Sequence, residues 1–231
     1  MNNLKPYLVL PAFMASLMLN AQVATVSSPD GKLTVAVDIK GGQPVYQVQY
    51  DGKQMLDESP LGFVADNGDY SKGITYVTQR TAHLEYNYDL RVSKKSSVHV
   101  NSNQLVVSLK NGDGNAYDVE FRVSNNDVAF RYAIPNHPSK ANGKKYSVRI
   151  MKEATGFDFP SHTTTFLTPQ SDAMIGWKGT KPSYEEEYKY DEPMSTRSQY
   201  GHGYTFPALF KVGQDGWVLV SDTDLDRRSC A

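Results

Sequence analysis

Three consecutive carboxylates, Glu185, Glu186 and Glu187, stand between Tyr184 and Tyr188 in the stretch SYEEEY. Acids placed this closely have three uses: acid/base catalysis, holding a metal ion, or keeping a loop solvated. Catalysis fits poorly, because a general acid and its base must face the same bond while neighbouring residues of an extended chain point to opposite faces. Metal binding stays open, although three adjacent carboxylates cannot by themselves supply the six to eight oxygens that a calcium ion takes. The third use, a solvated acidic loop, needs no ligand at all.

The other motifs exclude more than they assign. NGDGN at 111–115 resembles a calcium loop only briefly, since the sixth position from Asn111 is Ala116 where glycine is required and the twelfth is Arg122 in place of a bidentate glutamate. It reads as a hairpin turn. GDGNAY lacks the third glycine of a dinucleotide fingerprint. Neither G-x-S-x-G nor H-E-x-x-H occurs, and His83, His99, His137, His162 and His202 are spread singly along the chain. His202, in YGHGYTFP between two glycines and near Tyr200 and Tyr204, could approach a sugar ring or simply cap a turn. Cys230 is the penultimate residue, a poor place to hold the geometry that activates a nucleophile. No catalytic residue is assigned.

What must position these groups is a single globular body. The 231 residues suffice for one core, and 24 basic against 25 acidic residues, scattered or in short pairs, leave no footprint for nucleic acid. Residues 1–21 pair an early lysine with an apolar run from Tyr7 to Leu19, too short to span a bilayer comfortably, followed by Ala21 at a cleavage position. They read as a signal peptide, so residues 22–231 form the mature domain and the chain is expected to be exported, with no membrane segment after cleavage. The lone Cys230 means that it folds without an internal disulfide.

The mature chain alternates with period two. In KLTVAVDIK, Leu33, Val35, Val37 and Ile39 face one way, and in PVYQVQY, Tyr46, Val48 and Tyr50 do the same. Gly41-Gly42 and Asp51-Gly52 mark hairpins. Further strands are expected at Ile74–Gln79, Thr81–Val92, Ser97–Val100, Leu105–Leu109, Tyr117–Ser124, Val128–Ile134, Tyr146–Lys152, Phe206–Val212 and Trp217–Ser221. Helical periodicity is nowhere sustained. About a dozen strands with short turns predict an all-β fold of two large antiparallel sheets packed face to face. The stretch from Gly176 to Pro207, with Trp177, Tyr184, Tyr188, Tyr190, Tyr200 and Tyr204, lacks strand alternation and reads as a functional loop or partner surface.

Six stretches carry a resemblance: SSPDGKLTVAVDI, VYQVQYDGKQMLDESPLGF, DVEFRVSNNDVAFRYAIP, KEATGFDFP, SYEEEY and YTFPALFKVGQDGWVLVSDTDL. Taken in order from Ser27 to Leu225, they resemble the N-terminal domain of glycoside hydrolase family 97, the bacterial α-glucosidase and α-galactosidase family. The resemblance implies a galactose-mutarotase-like β-super-sandwich in a periplasmic enzyme of α-linked oligosaccharides. Similar enzymes continue into a (β/α)8 catalytic barrel, which alone takes about 250 residues, so this chain is expected to be truncated before its catalytic partner and inactive alone. Family catalysis uses paired carboxylates, and the resemblance places them in the barrel. It also implies that a glutamate of a Tyr-Glu-x-x-Tyr-like segment is lent to a calcium ion near the substrate. Glu185 takes that position, with Glu187 as the substitute if the register is off by two. The alternative is a freestanding exported carbohydrate-binding or protein-interaction module using the tyrosines from 184 to 204.

Overall fold

A computed structural model describes residues 24–92, 94–135, 148–170, 188–201 and 203–223. Every element in it is a strand. In chain order they are β1 (Ala24–Ser27), β2 (Leu33–Lys40), β3 (Gln43–Tyr50), β4 (Lys53–Pro60), β5 (Phe63–Ala65), β6 (Gly68–Asp69), β7 (Thr75–Asp89), β8 (Ser97–Lys110), β9 (Ala116–Val123) and β10 (Val128–Ala133). The remainder are β11 (Ile150–Glu153), β12 (Thr163–Leu167), β13 (Lys189–Pro193), β14 (Ala208–Val212) and β15 (Gly216–Val220). Pairing is antiparallel throughout, and the ladders fall into four sheets ordered β1-β2-β3-β4, β10-β9-β8-β7, β11-β5-β6 and β13-β12-β14-β15. The all-β sandwich expected from the alternation is present, built from four ladders where two were expected.

The first two sheets meet through their apolar faces. Val35, Val37, Tyr46 and Val48 of the first bury against Leu105, Val107, Val119 and Phe121 of the second in one core. The ring of Tyr46 lies 6.0 Å from Phe121 and 5.5 Å from Phe130. Its hydroxyl donates to Gly156 O at 3.2 Å, and burial pushes its pKa well above the usual phenol range. At the rim, Asn103 Nδ2 donates to Ser27 O at 2.8 Å and Asp30 N to Asn125 Oδ1 at 3.1 Å, tying the same two sheets.

The hairpins follow their turn residues. Asp51 and Gly52 take positive φ of 50° and 74°, the twist that a two-residue turn needs between β3 and β4. NGDGN is the β8–β9 turn, where Asn111 Oδ1 accepts the N–H groups of Asp113 and Asn115 at 3.1 and 2.9 Å. It binds its own backbone, as the hairpin reading requires.

Strand lengths depart from expectation. Ile74–Gln79 and Thr81–Val92 are one strand, β7, and Ser97–Val100 and Leu105–Leu109 are one strand, β8. Only Asn103–Lys110 of β8 pairs with β9, so beyond Asn103 the β7–β8 pair continues as a two-stranded ribbon. Strands β1, β4, β5, β6, β12 and β13 were not foreseen.

Candidate functional site

The acidic run itself, Glu185 to Glu187, lies outside the described residues, as do Trp177, Tyr184 and His202. The described structure resumes at Tyr188, and β13 begins one residue later, on the edge of the fourth sheet. The described residues that follow the run in sequence are thus β13 and the loop after it.

That sheet has two distinct faces. Thr163, Thr165 and Leu167 of β12 point inward with Ala208 and Val212 of β14, and Phe210 stacks on Phe159 at 4.1 Å. The register pairs Phe166 with Leu209, Lys211 with Trp217, and Leu209 with Leu219, which places all five on the opposite face. Trp217 there is 55% exposed and Leu219 63%. The indole packs 5.0 Å from Phe166, and Lys211 Nζ sits 5.8 Å from its centroid. An open apolar patch is thus carried on the sheet that β13 edges.

Two of the described tyrosines here, Tyr188 and Tyr204, tie their hydroxyls to backbone oxygens. Tyr188 donates its hydroxyl to Phe166 O at 2.7 Å, and Tyr204 donates to Thr196 O at 3.2 Å. Tyr204 also bridges to Pro169, and burial followed by the nearby charge of Glu192 raises its pKa. With Lys189, Glu192, Thr196, Arg197 and Gln199 these residues line a small cleft of about 210 Å³. Of the segment's described tyrosines, Tyr190 is the one most open to solvent, at 73%. Tyr188 and Tyr200 are also partly open, at 46% and 40%, so the segment keeps exposed aromatic surface even where hydroxyls are engaged.

Carboxylates beside the run are also engaged. Asp191 Oδ1 accepts Thr164 Oγ1 at 2.8 Å, and Glu192 Oε2 accepts Thr196 Oγ1 at 3.3 Å. Among the described residues no group of three or more His, Cys, Asp or Glu side chains converges to hold a metal ion.

The nearest approach to such a group is on the ribbon, which the chain's scattered histidines did not suggest. His83 and His99 both reach Glu85, at 3.9 and 3.5 Å, and their Nδ1 atoms bond Asn103 and Asn87. His99 stands opposite Asn87, four residues along the strand from His83, or about 13 Å at 3.3 Å per residue. Those are backbone positions; the two rings lean toward the Glu85 carboxylate from either side, but the three groups do not converge on a metal position. The trio is a surface polar ladder.

With this geometry in place, the comparisons can be weighed. The glycosyl-hydrolase 97 N-terminal family matches residues 26–231. A probable retaining alpha-galactosidase of Streptomyces bingchenggensis is 26% identical over 211 residues, and a retaining alpha-galactosidase of Bacteroides thetaiotaomicron is 24% identical over 217. The matches cover 90% and 92% of this chain, but the chain spans only 30% of the length of either relative. A crystal structure of a beta-arabinopyranosidase superposes with a TM-score of 0.83 at 52% identity, covering 90% of this chain and 33% of that one. A family 97 enzyme from Pseudoalteromonas sp. strain K8 in complex with panose superposes at 0.64 and 21% identity over 82% of this chain and 27% of that one, a likeness of fold.

Proposed function

The chain belongs to the glycosyl-hydrolase 97 N-terminal family, and from that premise we propose that it serves as the non-catalytic sandwich domain of an exported, periplasmic glycosidase. Its role is to pack on a catalytic (β/α)8 barrel and lend that barrel a calcium ligand. The observation that carries the reading is the exposed pair Trp217 and Leu219 beside half-buried Phe166 and Leu209, on the sheet edged by β13, the strand that follows the acidic run in sequence. Large apolar residues left together in solvent mark a surface meant for a partner. The relatives of which this domain is 30% have the additional length to supply one.

In this reading Glu185 contributes one oxygen to calcium, with Glu187 as its substitute. Calcium takes six to eight oxygens, and Asp191 and Glu192 are already engaged with threonine hydroxyls. Most of the ligands therefore come from the barrel. The ion orders the partners and fixes the domain's position beside the substrate.

For substrate we propose a terminal α-galactosyl unit or its pentose counterpart. The relatives named as alpha-galactosidases and the beta-arabinopyranosidase at 52% identity support this over a glucoside. An arabinopyranosyl ring lacks the exocyclic hydroxymethyl group of a galactosyl ring, so discrimination falls to barrel residues around that position.

The test is to mix this chain with the separately produced catalytic portion of the arabinopyranosidase relative. Co-elution as a stoichiometric complex is expected, with p-nitrophenyl α-galactoside left intact by this chain alone. Turnover by the chain alone, or failure to associate, would overturn the reading.

A further inference from the structure

The β7–β8 ribbon carries a second feature that the docking role does not use. Beyond Asn103 its residues alternate strictly between two faces. One face is wholly polar, with His83, Glu85, Asn87, His99 and Asn101. The other presents Leu84, Tyr86 and Tyr88 on β7, with Tyr86 opposite Val100 and Tyr88 opposite Val98. Both tyrosines are 44% exposed, and their rings stand 6.3 Å apart with planes inclined by only 32°. They form a short aromatic platform.

Beside the platform lies a polar trough. Because β9 stops at Val123, the space next to Val98–Ser102 is open and is closed on its far side by the β9–β10 turn. It has a volume of about 530 Å³, with Val98, Val100 and Ala129 as an apolar strip and Arg122, Asn125 and Asp127 as polar lining. Arg122 is level with Ala82, two strands or about 10 Å across and four residues or about 13 Å along from Tyr86, so the two backbones stand about 16 Å apart, a span that a short oligosaccharide bridges.

We propose that this surface is a binding site for an oligosaccharide. Successive sugar rings offer flat, apolar C–H faces that suit the paired tyrosines, while their equatorial hydroxyls demand donors and acceptors together. The guanidinium of Arg122, the amide of Asn125 and the carboxylate of Asp127 supply both kinds within reach of a short oligosaccharide. The mixture also decides the ligand class. A greasy protein partner would leave the charged wall unmatched, and a polyanion would meet Asp127 in the trough. The choice of a neutral sugar rests on the glycosidase reading above, but the site itself rests on the ribbon.

The experiment is a titration of the isotopically labelled chain with stachyose, which carries two α-linked galactosyl units, followed by backbone amide shifts. At millimolar sugar, an affinity typical of a shallow site, shifts should gather at residues 84–88, 98–102 and 122–129. The exposed substitutions Tyr86→Ala and Tyr88→Ala should preserve the free spectrum and weaken binding by about fivefold or more each. Tyr190→Ala should change nothing. Shifts that are absent, or that gather around Tyr188–Tyr204, would overturn the proposal. So would self-association abolished by Tyr86→Ala, which would make a second copy the occupant. If the alanine variants lose their fold, Asp127→Asn supplies the same comparison. Binding is read without hydrolysis, so a blank here leaves the glycosidase reading intact, and failure to dock on a barrel leaves this site intact.

Discussion

The hydroxyl of Tyr132 accepts the backbone N–H of Gly62 at 2.7 Å, although the two are 70 residues apart. The Tyr132 hydroxyl shares a second hydrogen bond with Thr155 Oγ1 at 2.6 Å, and Thr155 Oγ1 in turn lies 3.3 Å from Gly62 O. This loop of bonds ties β10 to the start of β5 and so joins the second sheet to the third. Tyr132→Phe would leave the buried Gly62 N–H unpaired, and a loss of about 1–3 kcal/mol is expected in urea unfolding. Gly62→Ala should cost more. Its φ of +137° suits glycine, and a Cβ there would stand 2.7 Å from Ser71 Cα and Tyr70 O.

The same tyrosines set an alkaline limit. Burial, aided by the charge of Glu153, raises Tyr132 to about 12, and burial raises Tyr46 and Tyr117 as well. A phenol in the unfolded chain ionises near 10, so the folded state holds its protons more tightly. The resulting stability is complete below about pH 10 and is lost as pH rises toward 12. A urea midpoint that falls over that window, with a further step of tyrosinate absorbance from the buried phenols on unfolding, is the expected result.

At acid pH the sign reverses at Asp69. Its Oδ1 accepts Ser71 Oγ at 2.6 Å and Ser71 N at 2.8 Å, and these bonds hold its pKa below the usual 3.8. Because the folded value is the lower one, the contribution is present above about pH 4 and fades as pH falls through the folded pKa. Ser71→Ala should move the Asp69 carboxyl resonance up toward the ordinary value in an NMR pH titration. An unchanged titration would mean that the hydroxyl bond contributes nothing.

Much of this fold can be read from residue order because turn chemistry and alternation agree. Gly41-Gly42 and Asp51-Gly52 fix the β2–β3–β4 meander, and Val35, Val37, Tyr46 and Val48 announce its inner face. β4 escapes notice because its pairing with β3 shifts register twice and buries Met55 and Leu56 side by side, which erases the alternation. β7 and β8 look broken since polar runs such as Asn101–Gln104 interrupt their apolar residues, yet pairing to each other carries the ladder through. β13 hides in the tyrosine-rich stretch because Asp191 sits at φ 57° and Pro193 ends the strand. At the candidate site, composition marks the tyrosines but cannot say that Tyr188 and Tyr204 are tied to backbone oxygens. Nor can it say that Trp217 is left in solvent, since exposure is set by which sheet face finds a partner.

That exposure leads to the sharpest test of the docking reading. Trp217 and Leu219 are more than half exposed, at 55% and 63%, so neither contributes much to the stability of the chain itself. Trp217→Ala would give up only its packing with Phe166 and Lys211, and Leu219→Ser would give up almost nothing. The double variant should therefore unfold within about 1 kcal/mol of the wild type, as surface changes do. Against the catalytic portion of a longer relative the expectation is opposite, because a buried tryptophan at the centre of an interface is a frequent hot spot worth about 2 kcal/mol or more. Association should weaken at least thirtyfold, about 2 kcal/mol at 1.4 kcal/mol per tenfold, in a sedimentation or calorimetric titration. Equal binding by the wild type and the variant would show that the barrel docks elsewhere.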